Sequence, residues 1–326
     1  MRPDWHGKPY YSLDAYCKNH LHHKAYKIAL DAHMTCPNRD GTLGRRGCIF
    51  CSAGGSGEFA VPAGDTDINV QLEEGLKLLC GKQTGSSFIA YFQAFTNTYA
   101  PVSRLEKMYT QALDHPDVCG ISIATRPDCM PEEVLELIAG LTRRYPDKFI
   151  WVELGLQTIH ESTACFIRRG YPLSCFEQTS ERLHACNIPF IVHVILGLPG
   201  ETPQDMYDTI RYLNVRRPFG VKLQLMHVLK GTDLADYYLA GGFETLSMES
   251  YLDILIHALE LLDPGTVVHR VTGDGPKSLT IAPLWSLNKR KVLNCLHHLM
   301  NERGAYQGRL FHENAAAMSG PPSLTK

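Results

Sequence analysis

Two rhythms of apolar residues alternate along the chain. Short runs with strand character occupy Lys24–Ala32, Ser87–Phe92, Cys119–Thr125, Phe149–Leu156, Phe190–Leu196 and Val221–Val228. Phe190–Leu196 is almost wholly apolar, as a strand covered on both faces should be. Between these runs the apolar positions return at helical spacing. Asn69–Cys80 has Val70, Leu72, Leu76, Leu79 and Cys80 near one face. Ser103–Leu113 starts with Ser103 and places Glu106 three residues on, the pattern of a capping box. Pro131–Tyr145 has proline at its start. Glu161–Arg169, Ser174–Cys186 and Gln204–Val215 complete the set. Six strands separated by helices predict a parallel sheet. No dinucleotide-binding start is visible, so closure toward a barrel is the better expectation. Beyond it, Tyr251–Leu262 reads as a strongly amphipathic helix, Thr266–Val271 as a further strand and Asn288–Arg303 as a last helix.

The ends differ from this core. Residues 1–23 read as an N-terminal extension in which His20, His22 and His23 form a polar turn rather than a metal site. Residues 24–304 form the core with its C-terminal helices. Residues 305–326, ending in the aperiodic ENAAAMSGPPSLTK, are expected to be disordered. A hydrophobic content of 44% suits a sizeable core, and the formal net charge of −2 shows no global basic excess that would advertise nucleic acid. Eleven cysteines follow no disulfide framework. The start, MRPDWHGKPYYSL, is not an apolar leader, and no apolar run approaches the roughly 18 residues of a membrane helix. A reducing, cytoplasmic setting without membrane attachment is expected, most cysteines acting as small core residues.

Three cysteines stand apart. Cys36, Cys48 and Cys51 fall in one Gly-rich stretch, CPNRDGTLGRRGCIFCSAGGSG. Three thiolates from one loop can converge on an inorganic centre. A [4Fe–4S] cluster with one iron left open is the leading reading. Phe50, inside the CxxC pair, would shield such a centre from water. A zinc site, with His33 or Cys17 as fourth ligand, and a plain reduced-thiol loop are the alternatives.

In parallel β/α folds ligands gather where strands end. The polar residues there are Gln93, Thr96, Asn97 and Thr98 after the second strand, Thr125, Arg126 and Asp128 after the third, Glu153 and Gln157 on the fourth, His193 on the fifth, Gln224 and His227 on the sixth, and Asp274 further on. Glu153 is hard to dismiss, because a carboxylate within WVELGL must be near the core and needs partners. His193 equally suits a core histidine, and Arg126 a simple pair with Asp128. Gly55–Ala60 matches GxGxxG/A but follows no strand, which argues against a nicotinamide site. Lys289-Arg290-Lys291 suits a solvated face better than an RNA contact.

The cysteine loop, with ATRPD, ELGLQT and HVILGLPGET, resembles the radical S-adenosylmethionine (SAM) superfamily over roughly residues 20–300. The usual pattern there is CxxxCxxC with an aromatic before the last cysteine. Eleven residues separate Cys36 from Cys48 instead of three, which is similar to the YhcC/YtqA-type branch, related to the Elp3 radical SAM domain. The resemblance implies an α/β fold, a partial (β/α)6 TIM-like barrel with N- and C-terminal extensions. It implies an enzyme in which Cys36, Cys48 and Cys51 hold a [4Fe–4S] cluster whose open iron takes SAM. By position it makes Gln93, Asn97, Glu153 and His193 SAM contacts, with Arg126 and Gln157 on the same rim as further cofactor-binding candidates, and the Leu198-Pro199-Gly200-Glu201 turn a wall of the pocket. It implies a low-potential electron donor, flavodoxin or ferredoxin, and tRNA as substrate, at the 5-carboxymethylaminomethyl side chain of a modified wobble uridine. A small-metabolite radical enzyme and a zinc-stabilised binding protein are the alternatives.

Overall fold

A computed structural model describes residues 3–55, 57–60, 67–79, 87–273 and 275–312. In chain order the elements are α1 (Leu13–Leu21), β1 (Ala25–Leu30), α2 (Pro37–Asp40), α3 (Ile68–Leu79), β2 (Ser87–Phe92), α4 (Val102–Asp114), β3 (Val118–Thr125), α5 (Glu132–Arg144), β4 (Phe149–Gln157), α6 (Glu161–Phe166) and α7 (Leu173–Ala185). There follow β5 (Phe190–Leu196), α8 (Pro203–Arg216), β6 (Gly220–Leu225), β7 (Val228–Leu229), α9 (Asp233–Leu239), α10 (Met248–Leu261), β8 (Val267–Arg270), β9 (Thr280–Ala282) and α11 (Lys289–Glu302).

Seven strands form one sheet in the order β1-β2-β3-β4-β5-β6-β8, every neighbouring pair parallel. In a flat sheet β1 and β6 would lie about 24 Å apart, five strand spacings. Here Lys27 of β1 and Lys222 of β6 both reach Glu153 of β4, and the Lys222 ammonium donates to the Tyr91 hydroxyl of β2 at 2.9 Å. The sheet is therefore curled into an incompletely closed barrel, an α/β architecture with β1 and β8 as its outermost strands.

Strand alternation sorts the side chains. Ile28, Leu30, Ala90, Phe92, Ile121, Ile123, Val152, Leu154, Val192 and Val194 point outward into the main core. The helices cover them with their apolar stripes, such as Leu105, Met108, Tyr109, Ala112 and Leu113 of α4. Each such Leu or Ile contributes about 1.5–3 kcal/mol by leaving water. The alternate residues point inward, apolar at the N-terminal end of the strands and polar at mid-strand.

The N-terminal segment closes one end of this interior. Ser12 caps α1, accepting from the Ala15 N–H at 3.2 Å, and Val268 N–H donates to Tyr11 O at 2.7 Å, tying the segment to β8. Tyr16 packs edge-on against Phe219 and Trp151, with ring centroids 5.0 and 5.9 Å away, while Phe149 stacks on Trp151 at 5.0 Å. Cys17, Ile89 and Ile191 fill the same plug.

Several expectations are corrected. No side-chain cap is made by Ser103: Pro101, extended and barred from continuing a helix behind it, sets the boundary, and Ser103 lies inside α4. The capping box belongs instead to Thr202 and Asp205 at the start of α8. The sixth strand stops at Leu225, and Val228–Leu229 turns away to pair antiparallel with β9, so His227 falls outside the strand. Glu161–Arg169 is helical only to Phe166. Residues 305–312 are part of the fold: Gln307 is fully buried, its side-chain amide donating to Asp263 O and Thr266 O and its oxygen accepting from Tyr11 N–H. The expected disorder of 313–326 and the candidate Asp274 lie outside the described residues.

Candidate functional site

At the opposite end from the plug, the strand C-termini surround a cavity of about 460 Å³, within the range of small-molecule sites. Cys36, Cys48 and Cys51 all line it. The loop that carries them is braced from several sides. Cys36 is extended and Pro37 starts the one-turn α2 directly after it. The Arg39 guanidinium donates to Cys51 O at 2.8 Å and Ser52 O at 2.6 Å, closing the loop on itself. Cys51 N–H donates to Cys48 O at 3.0 Å, and Ile49 is held between Ile167 O and Leu234 N–H. The Asn38 amide donates to Arg168 O at 2.8 Å and approaches the Cys48 sulfur at 3.5 Å. Gly170 makes room for this contact. Its φ is +84°, and a Cβ there would sit 2.6 Å from Asn38 Oδ1, so no other residue fits without displacing Asn38.

Burial pushes the Cys48 thiol up to about 11, and the neighbouring Cys51 adds to the shift. Burial also raises the Cys51 thiol, although the Arg39 guanidinium opposes it. Thiolates are thus disfavoured here unless a cationic centre binds them. Among the described residues no group of three or more Cys, His, Asp or Glu side chains is placed to hold a metal ion. A four-iron cluster takes each thiolate on a different iron, so its ligands stand further apart than those of one ion. Cys17, one of the two fourth ligands considered for zinc, lies in the plug at the other end. His33 is exposed and does not line the cavity. The three cysteines, in one cavity wall, would hold three irons of such a cluster.

Five of the six other candidates line the cavity: Gln93, Arg126, Glu153, Gln157 and His193. Gln157 ends β4 with φ +63° and lies 3.4 Å from the Tyr171 hydroxyl. Arg126 grips Asp128 with two hydrogen bonds of 2.9 and 2.7 Å, donates to Arg169 O at 3.0 Å and points the same nitrogen toward Cys36 Sγ at 3.9 Å. Asn97 is the exception. It is fully buried, and its amide nitrogen ties Ala94 O to Ala124 O at 3.1 Å each, behind the cavity wall.

Glu153 sits at the bottom of the cavity with no exposure at all. Lys27 donates to Oε1 at 2.6 Å and Ser122 at 2.5 Å; His193 Nε2 donates to Oε2 at 2.6 Å, and Lys222 to the same oxygen. Burial alone would raise this carboxyl, but the Lys222 and Lys27 ammoniums and the His193 N–H outweigh it and hold it well below the usual carboxylate range. Because His193 Nε2 donates to Glu153, its Nδ1 is the acceptor for the Gln224 amide at 3.3 Å. Burial, then the nearby Lys222 charge, pushes this imidazole down to about 4, so it is neutral near pH 7.

Lys27, Lys222, Tyr91, Arg270 and Arg169 also line this cavity, and none is among the residues that the sequence reading singles out. A signal for the lysines is present: a lysine inside YKIAL and another inside VKLQL interrupt strands on the inward phase. Arg169 is less legible, because its burial depends on donating to Leu156 O, Thr158 O and Tyr171 O across the loop before α7.

A curled parallel β/α sheet with three cysteines on its C-terminal rim is the arrangement that the resemblance to radical SAM enzymes implies. The Radical SAM superfamily matches residues 41–213, more than half of the chain, and the Radical SAM C-terminal domain matches residues 218–302. YtqA of Bacillus subtilis is 42% identical over 304 residues, 93% of each protein. YhcC of Escherichia coli is 32% identical over 283 residues, 86% of this chain and 89% of YhcC. The chain therefore belongs to the radical SAM superfamily and is an enzyme of that class. Its fold is also similar to that of Elp3 from the archaeon Methanocaldococcus infernus, with a TM-score of 0.64 at 15% identity, covering 87% of this chain and 64% of that one. Among the described residues no helix is long and apolar enough to cross a membrane.

Proposed function

We propose that this enzyme holds a [4Fe–4S] cluster on Cys36, Cys48 and Cys51, binds SAM at its open iron, and takes a hydrogen atom from the side chain of a modified uridine at the wobble position of tRNA. The observation that carries the reading is that three half-buried thiols and the polar strand tips line one cavity, at the opposite end of the barrel from the apolar plug. When bound, the cluster and SAM together supply the radical that removes the hydrogen atom. The protein's part is positioning and exclusion of water. Arg39 and Asn38 hold the cysteine loop in place. Gln93, Gln157 and Arg126 offer donors and acceptors at the strand tips for the polar groups of SAM. The aromatic plug of Tyr16, Phe149 and Trp151 closes the far end against water and reductant. An electron donor of the flavodoxin or ferredoxin kind, in a reducing cytoplasmic setting, completes the reading. Support for tRNA comes from the phrases ATRPD, ELGLQT and HVILGLPGET, which resemble Elp3-like domains.

The test uses tRNA carrying a 5-carboxymethylaminomethyl uridine deuterated at its side-chain methylenes. Anaerobic turnover should place deuterium in 5′-deoxyadenosine and change the mass of that nucleoside. Unlabelled 5′-deoxyadenosine with an unchanged nucleoside would mean that the RNA is not the substrate.

A further inference from the structure

The nitrogen groups beside the three cysteines are not alike. Arg126 approaches Cys36 Sγ at 3.9 Å, but its other nitrogens grip Asp128. Arg39 donates to backbone oxygens, Cys51 O and Ser52 O. Beside Cys48 stands a neutral amide, that of Asn38, buried at 6% exposure in the one-turn α2. Its nitrogen donates to Arg168 O at 2.8 Å and to Arg169 O at 3.2 Å, and lies 3.5 Å from Cys48 Sγ. The two carbonyls fix which end of the amide is the nitrogen, because an amide oxygen turned toward them would be repelled. The N–H groups therefore face the sulfur too. Two N–H groups serve three acceptors, so one is shared between Arg169 O and Cys48 Sγ. The amide oxygen rests against Gly170, where a Cβ would stand 2.6 Å from Oδ1. The donor is thus placed against the sulfur from two sides, by the carbonyls in front and the glycine behind.

A thiol sulfur is a weak acceptor, so in its protonated state Cys48 competes poorly with the carbonyls. A thiolate bound to iron carries charge and accepts more strongly. Each electron added to a cluster makes its sulfurs more negative. A fixed N–H donor therefore favours the reduced cluster over the oxidised one, and hydrogen bonds to the sulfurs help to set the potential. We propose that Asn38 is a positioning residue for electron delivery: its amide hydrogen-bonds the Cys48 sulfur once that sulfur ligates iron, and so raises the potential at which the cluster accepts an electron from its low-potential donor. The inference rests on the proposed cluster at Cys36, Cys48 and Cys51. It is independent of the substrate, because it concerns how readily the electron arrives and not what the radical attacks.

The test reads the cluster itself, with SAM left out. Full-length enzyme with nitrogen-15 in its asparagine side chains is reconstituted without oxygen using iron and sulfide, then reduced with dithionite. In pulsed EPR the reduced cluster should show coupling to nitrogen-15, and the coupling should vanish in Asn38→Leu. A redox titration followed by EPR should give Asn38→Leu a more negative midpoint potential than wild type at equal iron per chain. Gly170→Ala keeps Asn38 but crowds its amide oxygen, and it should shift the potential in the same direction. Asn38→Leu also takes the donor from Arg168 O and Arg169 O. Should that variant lose its cluster, the wild-type coupling and the potential of Gly170→Ala decide. A wild-type cluster without nitrogen-15 coupling overturns the proposal, and so do variants that keep the cluster at the wild-type potential. Either result leaves the cluster reading standing. A wild-type protein that assembles no cluster overturns that reading and this inference together.

Discussion

The two ends of the barrel interior are made from the same strands and do opposite things. Toward the strand N-termini the inward residues are Ile89, Trp151 and Ile191, covered by Tyr16 and Cys17 of α1. Two residues further along the same strands they are Tyr91, Glu153 and His193, and beyond them lie Gln93 and Gln157 at the cysteine-lined rim. One step of the strand period thus separates an apolar seal from a charged floor. The first end stabilises by leaving water; the second places charge where it costs stability unless it is paired. Stability and chemistry are therefore separable by position along a strand, and substitutions should show it.

The largest effect is expected at the open end. Cys51→Ala should lose the cluster, read as iron per chain and visible absorbance, with little change in thermal stability once both proteins are compared without iron. Retention of a full cluster would remove Cys51 from the ligand set. Glu153→Gln leaves two buried ammoniums without their carboxylate and should destabilise by about 3–5 kcal/mol in denaturant unfolding. A loss within experimental scatter would mean that the lysines do not depend on it. At the sealed end Trp151→Ala should cost about 3–5 kcal/mol but leave iron binding stoichiometric. Loss of iron by a still-folded Trp151→Ala protein would break the separation of the two ends.

His193 sharpens the comparison through pH. It faces Glu153, Lys222, Gln224 and Arg270, and its folded-state value of about 4 lies below the ordinary value of 6.5. The unfolded chain therefore binds the proton more readily, so the stability contributed by neutral His193 is complete above about pH 6.5 and is lost as pH falls toward about 4. Stability of His193→Gln should depend less on pH across that window. An unchanged slope would place the titration elsewhere. The smallest effect concerns neither end. Thr202→Ala removes a real cap on α8 and should cost about 1 kcal/mol, while Ser103→Ala, exposed inside α4 and capping nothing, should be neutral or stabilise by a few tenths of a kcal/mol.

Much of the fold is legible in the chain itself. Alternating periods announce the parallel β/α order, because a strand covered on both faces must be apolar and a surface helix must be striped. The cysteine loop and most of the rim are visible because polar residues at strand ends break an apolar run. Glu153 stands out as needing partners, but their identities do not: Lys27 and Lys222 lie 126 and 69 residues away, and only the curl of the sheet brings them together. The same limit applies to Cys17, which is a plausible ligand by residue type but sits in α1, the plug of the other end. Gln307 escapes for a related reason, since its value lies in satisfying backbone groups of Tyr11, Asp263 and Thr266 that no local pattern links to it. Local boundaries go astray where a single proline overrides a capping pattern, as at Pro101.

Whether the cysteine wall holds a cluster that cleaves SAM is decided by preparing the enzyme without oxygen, supplying iron and sulfide, and adding dithionite and SAM. Formation of 5′-deoxyadenosine with about four irons per chain, both abolished in Cys51→Ala, is the predicted result. A protein that takes up one zinc instead, or that binds iron yet cleaves no SAM even with substrate present, would contradict it.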